Sequence, residues 1–185
     1  DGLYFRFGGR HWVLYLMGVK PCHQHRAVFL DPLLLPERAN VRCWSQAFTT
    51  IPVPVYRRIC ASVSDDIRGM ISLGGSQGWT VQLCHFHLIS QLHGSRGRRK
   101  RKLVGRPVRE TLYRLTRQAL ELPDGARLQA VLKRLERLVQ KPMGSRVMRM
   151  AVREFLRRKE HFRPYRRYPE LGLPSTTGTV RGYGT

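Results

Sequence analysis

Acidic residues are scarce in this chain, and long apolar runs are absent. Its 185 residues include 12 Asp and Glu against 34 Lys and Arg, a formal net charge of +22. Such an imbalance implies a polyanionic partner, and nucleic acid is the usual one. Nowhere does the sequence reach the ~18 consecutive apolar residues that a membrane span needs, so no membrane partner is expected. The opening DGLYFRF has neither the basic start nor the long apolar stretch of a signal peptide. It also lacks an initiating Met, so the expectation is a fragment of a longer protein. Cysteine is sparse: Cys22, Cys43, Cys60 and Cys84 are spread through the first half. In a chain that is not small, that usage speaks against a disulfide framework and suits a reducing cytoplasm.

What is present is unevenly placed. Residues 1–90 hold 9 Lys/Arg and 5 Asp/Glu, a net of +4, whereas residues 91–185 hold 25 and 7, a net of +18. The first half reads as a compact core and the second as the bearer of charge. With 42% hydrophobic residues the chain can form one medium domain, or one domain with an insertion.

The apolar patterns at residues 3–7, 11–19 and 26–30 predict three strands in an antiparallel meander, with Gly8 and Gly9 marking the first turn. A helix is predicted around residues 37–48 and a fourth strand over 59–64. A short helix follows over 67–77, weakened by Gly74 and Gly75. The fifth strand is WTVQLC at 79–84, and a helix continues over 85–93. Beyond it, apolar residues recur at helical spacing in three blocks: Leu112, Leu115, Ala119, Leu122; Leu128, Val131, Leu132, Leu135, Leu138, Val139; and Val147, Met150, Ala151, Phe155. Pro107, Pro123 with Gly125, and Pro142 punctuate them. Three antiparallel strands followed by strands that alternate with helices suggest an α/β fold with a ribonuclease H-like mixed sheet of order 3-2-1-4-5. In that order the first and fourth strands lie side by side.

Two acids then become candidates. Asp1 opens the first strand, and in ICASVSDDIRG Asp65 ends the fourth, beside Asp66. An Asp after a buried strand is either a helix cap or a metal ligand. Carboxylates on neighbouring strands can hold two divalent ions about 3.5–4 Å apart that activate water and stabilise a leaving oxygen at phosphorus. Hard Mg²⁺ or Mn²⁺ suits such oxygen donors.

DGLYFRFGGRHWVLYLMGV, SDDIRGM, CHFHLI and PSTTGTVRG, in that order, resemble the DDE transposases of the Mutator-like group and their bacterial insertion-sequence relatives. The resemblance covers essentially the whole chain, in short motifs. It implies a metal-dependent catalytic domain that cleaves DNA at a transposon end and joins its 3′-hydroxyl to target DNA. Asp1 and Asp65 match the first two catalytic, metal-binding acids. Asp66 falls where the family has Gly and is taken as a neighbour or a cap. Cys84 and His87 match the Cys-x-x-His near the active site. Residues 1–95 would then be the first part of the core, 96–165 a basic helical insertion, and 166–185 a truncated return segment toward the third-acid motif. The implied cofactor is Mg²⁺ or Mn²⁺. The implied partners are transposon ends and target DNA, with room for a homo-oligomer in the active complex. The implied location is a prokaryotic cytoplasm, at the nucleoid.

The departure lies at the end. Thr176-Thr177-Gly178-Thr179-Val180-Arg181 aligns with Thr-Thr-Asn-x-x-Glu, which sets Arg181 where the third carboxylate belongs. A guanidinium repels a cation. The expectation is therefore a transposase domain degenerate in catalysis, unless Glu170, Glu160 or Glu154 substitutes. The alternative is a non-catalytic basic nucleic-acid-binding protein that retains the fold. A basic ribosome-associated protein is a further rival, against which the two strand-end acids count modestly.

CHQH at 22–25 echoes CHFH at 84–87. Two Cys-x-x-His pairs could build a zinc site. The expected strand order separates them by three strand spacings of about 4.8 Å, and so argues against one. RGRRKRK at 96–102 supplies Arg98, Arg99, Lys100, Arg101 and Lys102 for phosphate contact. FLRRKEHFRPYRRYP at 155–169 adds Arg157, Arg158, Lys159, Arg166 and Arg167, interleaved with Phe162, Tyr165 and Tyr168, which either stack on bases or pack on the core.

Overall fold

The computed structural model describes residues 2–22, 24, 26–36, 40–65, 69–97, 105–141 and 145–176. Asp1, His23, His25, Asp66 and Arg181 lie outside the described residues, as do Arg98, Arg99, Lys100, Arg101 and Lys102.

The chain is mixed α/β, with small sheets. Strand β1 (Gly2–Phe7) turns through Gly8 and Gly9, both at positive φ, into β2 (Arg10–Tyr15), its antiparallel partner. Two positive-φ residues make the turn whose twist matches that of paired strands. The chain then leaves the ladder, and β3 (Gly18–Val19) pairs with β4 (Val28–Phe29) in a separate two-stranded sheet. The third strand beside β2 is β5 (Leu33–Leu35), not the predicted 26–30. Pro32 lies between β4 and β5, and a proline has no N–H to give a ladder. The apolar triple that follows it takes the place at β2.

Helix α1 (Val41–Phe48) starts at Asn40, whose Oδ1 accepts from Cys43 N at 3.0 Å. Such a cap satisfies one of the free N–H groups of a first turn. Its Cys43, Trp44 and Ala47 bury against Val13 and Tyr15 of β2, with Tyr15 edge-on to Trp44 at 4.8 Å. The one-turn helix α2 (Val53–Tyr56) leads to β6 (Ala61–Ser64). Helix α3 (Met70–Ser76) follows and returns the chain to β7 (Thr80–Leu83), which pairs with β6 in parallel, Ser64 opposite Leu83. Gly74 does not weaken α3 so much as permit it. A Cβ there would collide with Val81 of β7, so only glycine lets this helix approach so closely.

Of the five strands in the expected order, the first pairs with the second, Leu33–Leu35 takes the place expected for the third, and the fourth pairs with the fifth in another sheet. Among the described residues no ladder joins β1 to β6, so the expected single sheet is seen as separate sheets. Leu3, Tyr4, Phe5 and Phe7 of β1 are accordingly exposed, Phe7 by 76%.

The second half is helical, as its periodicity requires. Helix α4 (His85–Gly97) packs on α5 (Arg106–Glu121) and α7 (Arg146–Arg157), and α6 (Ala126–Gln140) packs on α5 and α7, closing a four-helix unit. Its core includes Leu88, Leu92, Leu112, Leu115, Leu132, Leu135, Met148 and Phe155. Burying each large apolar side chain contributes about 1.5–3 kcal/mol. Leu83 of β7 belongs to this cluster and Met70 of α3 to the other, so β6–β7 with α3 stands where the two cores meet. After α7 come a 3₁₀ turn (Lys159–Phe162), the short helix α8 (Pro164–Arg167) and a second 3₁₀ turn (Pro169–Leu171).

Candidate active site

Parallel strands that end together leave their outgoing chain at one edge, where open α/β sheets bind ligands. Asp65 follows β6 directly and Cys84 follows β7 directly. Cys84 N donates to Ser64 O at 2.8 Å, which fixes the two exits side by side. Asp65 is half-buried and Cys84 buried. Helix α4 starts at this edge and carries His85 and His87, the latter half-buried with its ring edge-on to Phe86. The return segment arrives here too, since His85 N donates to Ser175 O at 2.9 Å. Thus Asp65, the Cys84–His87 pair and the start of the 174–182 motif share one edge.

Asp65 does not cap α3. Gly69, at φ 94°, occupies the N-cap position and supplies no side-chain bond. Partial desolvation of the exposed Tyr4 phenol raises it above its ordinary range, and the negative charge of Asp65 raises it further. Tyr4 of β1 therefore lies within electrostatic reach of Asp65, although β1 and β6 share no ladder. The hydroxyl of Ser64, just before Asp65, is buried without a hydrogen-bond partner among the described residues.

As a cation site this edge is incomplete in what is described. Among the described residues no three His, Cys, Asp or Glu side chains gather as metal ligands. Two of the stand-ins for a third acid are engaged with arginines: Glu154 with Arg157 at 2.6 Å and Arg158 at 3.1 Å, and Glu160 with Arg167. Glu170 is exposed on the last 3₁₀ turn. Among the described residues Cys22, Cys84 and His87 do not gather as a zinc site; Cys22 lies instead against Cys60, their Sγ atoms 3.9 Å apart. Sequence separation gave no signal of that thiol pair.

The basic residues sort differently from the sequence expectation. Arg166 lies over the Tyr165 ring at 5.3 Å and donates to the Tyr165 hydroxyl and to Glu121 O. Arg167 pairs with Glu160 and with Asp124, at 3.6 Å for the latter. Arg157 and Arg158 share Glu154. Phe162 is buried against Phe155, and the Tyr165 hydroxyl donates to Leu120 O at 2.8 Å. The 155–169 stretch is thus largely a strap across the helical core, with Tyr168 its one exposed ring. The better basic surface is on α6 and just beyond it. Arg127, Lys133, Arg134, Arg137 and Lys141 are all exposed there, beside a lone Glu136. Arg127, Arg134, Arg137 and Lys141 recur at spacings of seven, three and four, one stripe roughly 21 Å long at 1.5 Å per residue. Its signal was present in the sequence, hidden beneath the apolar periodicity of the same helix.

The strap is fastened to the edge by Gln82 and His85. Gln82, fully buried, donates to Leu83 O at 2.7 Å and Phe162 O at 3.3 Å, and accepts from Tyr165 N at 3.0 Å. His85 Nε2–H donates to Phe162 O at 2.7 Å. Burial lowers the His85 pKa below its ordinary 6.5; the charges of Arg163 and Arg166 act the same way, against the Phe162 bond and Glu121. In the window below about 6.5 the unfolded chain therefore binds more protons than the folded one. The stability owed to the neutral imidazole is whole above 6.5 and is lost as pH falls through the folded value. Tm is expected to drop between pH 7.5 and 5.5, and to drop less in His85→Gln. Equal drops in both, measured by thermal unfolding across pH, would remove His85 from the cause.

Comparison with protein-family models, with curated proteins and with solved structures finds no match to this chain.

Proposed function

We propose that this chain is a DNA-binding α/β domain of the DDE transposase type, with Asp65 at its reaction edge. One observation carries the proposal: Cys84 N bonds Ser64 O and His85 N bonds Ser175 O. These two contacts gather Asp65, Cys84–His87 and the Ser175–Thr176 motif, which are far apart in sequence, at the exits of one parallel strand pair. In this reading Asp65 and Asp1 hold Mg²⁺ or Mn²⁺, and the ion supplies water activation and charge neutralisation at phosphorus. Asp65 itself contributes a fixed, half-buried carboxylate, and the basic helices hold the DNA phosphates.

A second reading, a nucleic-acid binder without catalysis, is favoured by Arg181 in the third-acid position. Nicking of a supercoiled plasmid in Mg²⁺ or Mn²⁺ separates the two. The expected result is weak, metal-dependent nicking that rises at least several-fold in Arg181→Glu and falls to background in Asp65→Asn, with DNA binding kept in all three. No nicking by either the native chain or Arg181→Glu would decide for the binder. Nicking that survives Asp65→Asn would move the chemistry away from this edge.

A further inference from the structure

Cys22 and Cys60 are 38 positions apart in sequence, yet their Sγ atoms lie 3.9 Å from each other. Cys60 is exposed and Cys22 half-buried, whereas Cys43 and Cys84 are buried. Cys22 sits in a turn closed by Gln24 N on Pro21 O, at 3.1 Å. Cys60 stands just before β6, with its carbonyl accepting from Thr80 N at 2.9 Å. Neither is inside a helix or strand, so side-chain rotation can close the gap of about 1.9 Å to a bonded S–S distance.

We propose that Cys22 and Cys60 are a redox modification site, an intramolecular disulfide formed reversibly by exchange with a low-molecular-weight disulfide such as oxidised glutathione. The exposed Cys60 thiolate attacks one glutathione sulfur; a mixed disulfide forms, the glutathione S–S bond breaks, and one glutathione thiolate leaves. The Cys22 thiolate then attacks the Cys60 sulfur and expels the second glutathione. Two protein thiols are oxidised, one glutathione disulfide is reduced to two thiols, and the two protons pass to the leaving thiolates. Partial desolvation, and then the neighbouring Cys22, hold the exposed Cys60 thiol above its ordinary range, so exchange quickens as pH rises.

The bridge would act on more than a loop. Gly172 rests on the Cys22 carbonyl so closely that an added Cβ would collide with it. Lys20 Nζ donates to Gln24 O at 2.9 Å and to Gly172 O at 3.0 Å. From Gly172 the chain runs on to Ser175, which bonds the start of α4. Joining Cys22 to Cys60 therefore staples the seat of the return segment to the entry of the strand that ends at Asp65. The site stands whatever the chain binds.

The test is incubation of the full chain with oxidised glutathione at pH 8.0, followed by thiol titration under denaturing conditions and peptide mapping without reduction. The free-thiol count is expected to fall from the four of the reduced chain to two, with a single Cys22–Cys60 cross-link in monomeric protein, reversed by dithiothreitol. Cys60→Ser, an exposed and conservative change, should yield no internal cross-link. Four thiols remaining, a cross-link between other cysteines or between two chains, or thiols masked by zinc and freed by a chelator would each overturn the proposal.

Discussion

Affinity for duplex DNA is expected to fall about a thousandfold or more between 50 and 200 mM salt, with little dependence on sequence, if six or more phosphates are neutralised. The motive is the net +18 of residues 91–185. Each Lys or Arg that meets a phosphate displaces a condensed counterion, and the release is worth less as salt rises. Which arginines make those contacts is decided by what already holds them. Arg166 and Arg167 are spent on Glu121 O, Glu160 and Asp124. The α6 stripe of Arg127, Arg134, Arg137 and Lys141 faces solvent.

The variant Arg127→Gln/Arg134→Gln/Arg137→Gln should accordingly lower the magnitude of the slope of log K against log salt by about 2–3, since each phosphate contact contributes about 0.9. Arg166→Gln/Arg167→Gln should leave that slope nearly unchanged and lower thermal stability instead. Fluorescence anisotropy with a labelled duplex at several salt concentrations measures both. The reverse assignment, with the slope lost in Arg166→Gln/Arg167→Gln and kept on α6, would return the DNA surface to the strap. A slope held by both variants and lost only on charge reversal of Arg98, Arg99, Lys100, Arg101 and Lys102 would put the contact on that run.

The helices were legible because two signals agreed in them. Leu112, Leu115 and Ala119, and Leu128, Leu132 and Leu135, keep a 3.6-residue period, and Pro or Gly stands between the blocks. The parallel β6–β7 pair was legible for a related reason, as two short apolar runs around a helical stretch. The third strand was not. Leu33–Leu35 lies between Pro32 and Pro36 and reads as a loop, while residues 26–30 have the better β composition; the winner was decided by which segment reaches β2. Side-chain roles were harder still. The sequence showed a basic, aromatic stretch at 155–169, but it could not show that the carbonyl end of α5 lies beneath it and consumes its donors. The proximity of Cys22 to Cys60 is likewise a product of the tertiary fold, with no local pattern to announce it. Asp65 sits between these cases: its strand-end position was readable, whereas its rejection as a cap depended on Gly69 taking that place.

Arg163→Met is expected to lower unfolding free energy by about 3 kcal/mol, the scale of leaving two buried carbonyls without a donor, and Tm by roughly 6–12 °C for a chain of this size. The Arg163 side chain is 4% exposed. It donates to Ala119 O at 2.8 Å, to Leu122 O at 2.6 Å and to Asp124 Oδ1 at 3.0 Å. The first two are terminal carbonyls of α5, which have no partners within their own helix. One guanidinium thus closes a helix end, joins the turn before α6 and anchors the strap. Its planar fork of donors is what a Lys could not reproduce. Methionine keeps the stem and loses every donor, so the carbonyls stay buried and unmet, at about 1–3 kcal/mol each if water cannot reach them. Arg157→Met serves as the control, because its Glu154 pair is exposed, and such pairs are worth about 0–1 kcal/mol. Urea unfolding at neutral pH distinguishes the two. A loss in Arg163→Met no larger than in Arg157→Met would mean that water replaces the guanidinium at the end of α5, and that the strap is held by its apolar contacts at Phe162 and by Gln82.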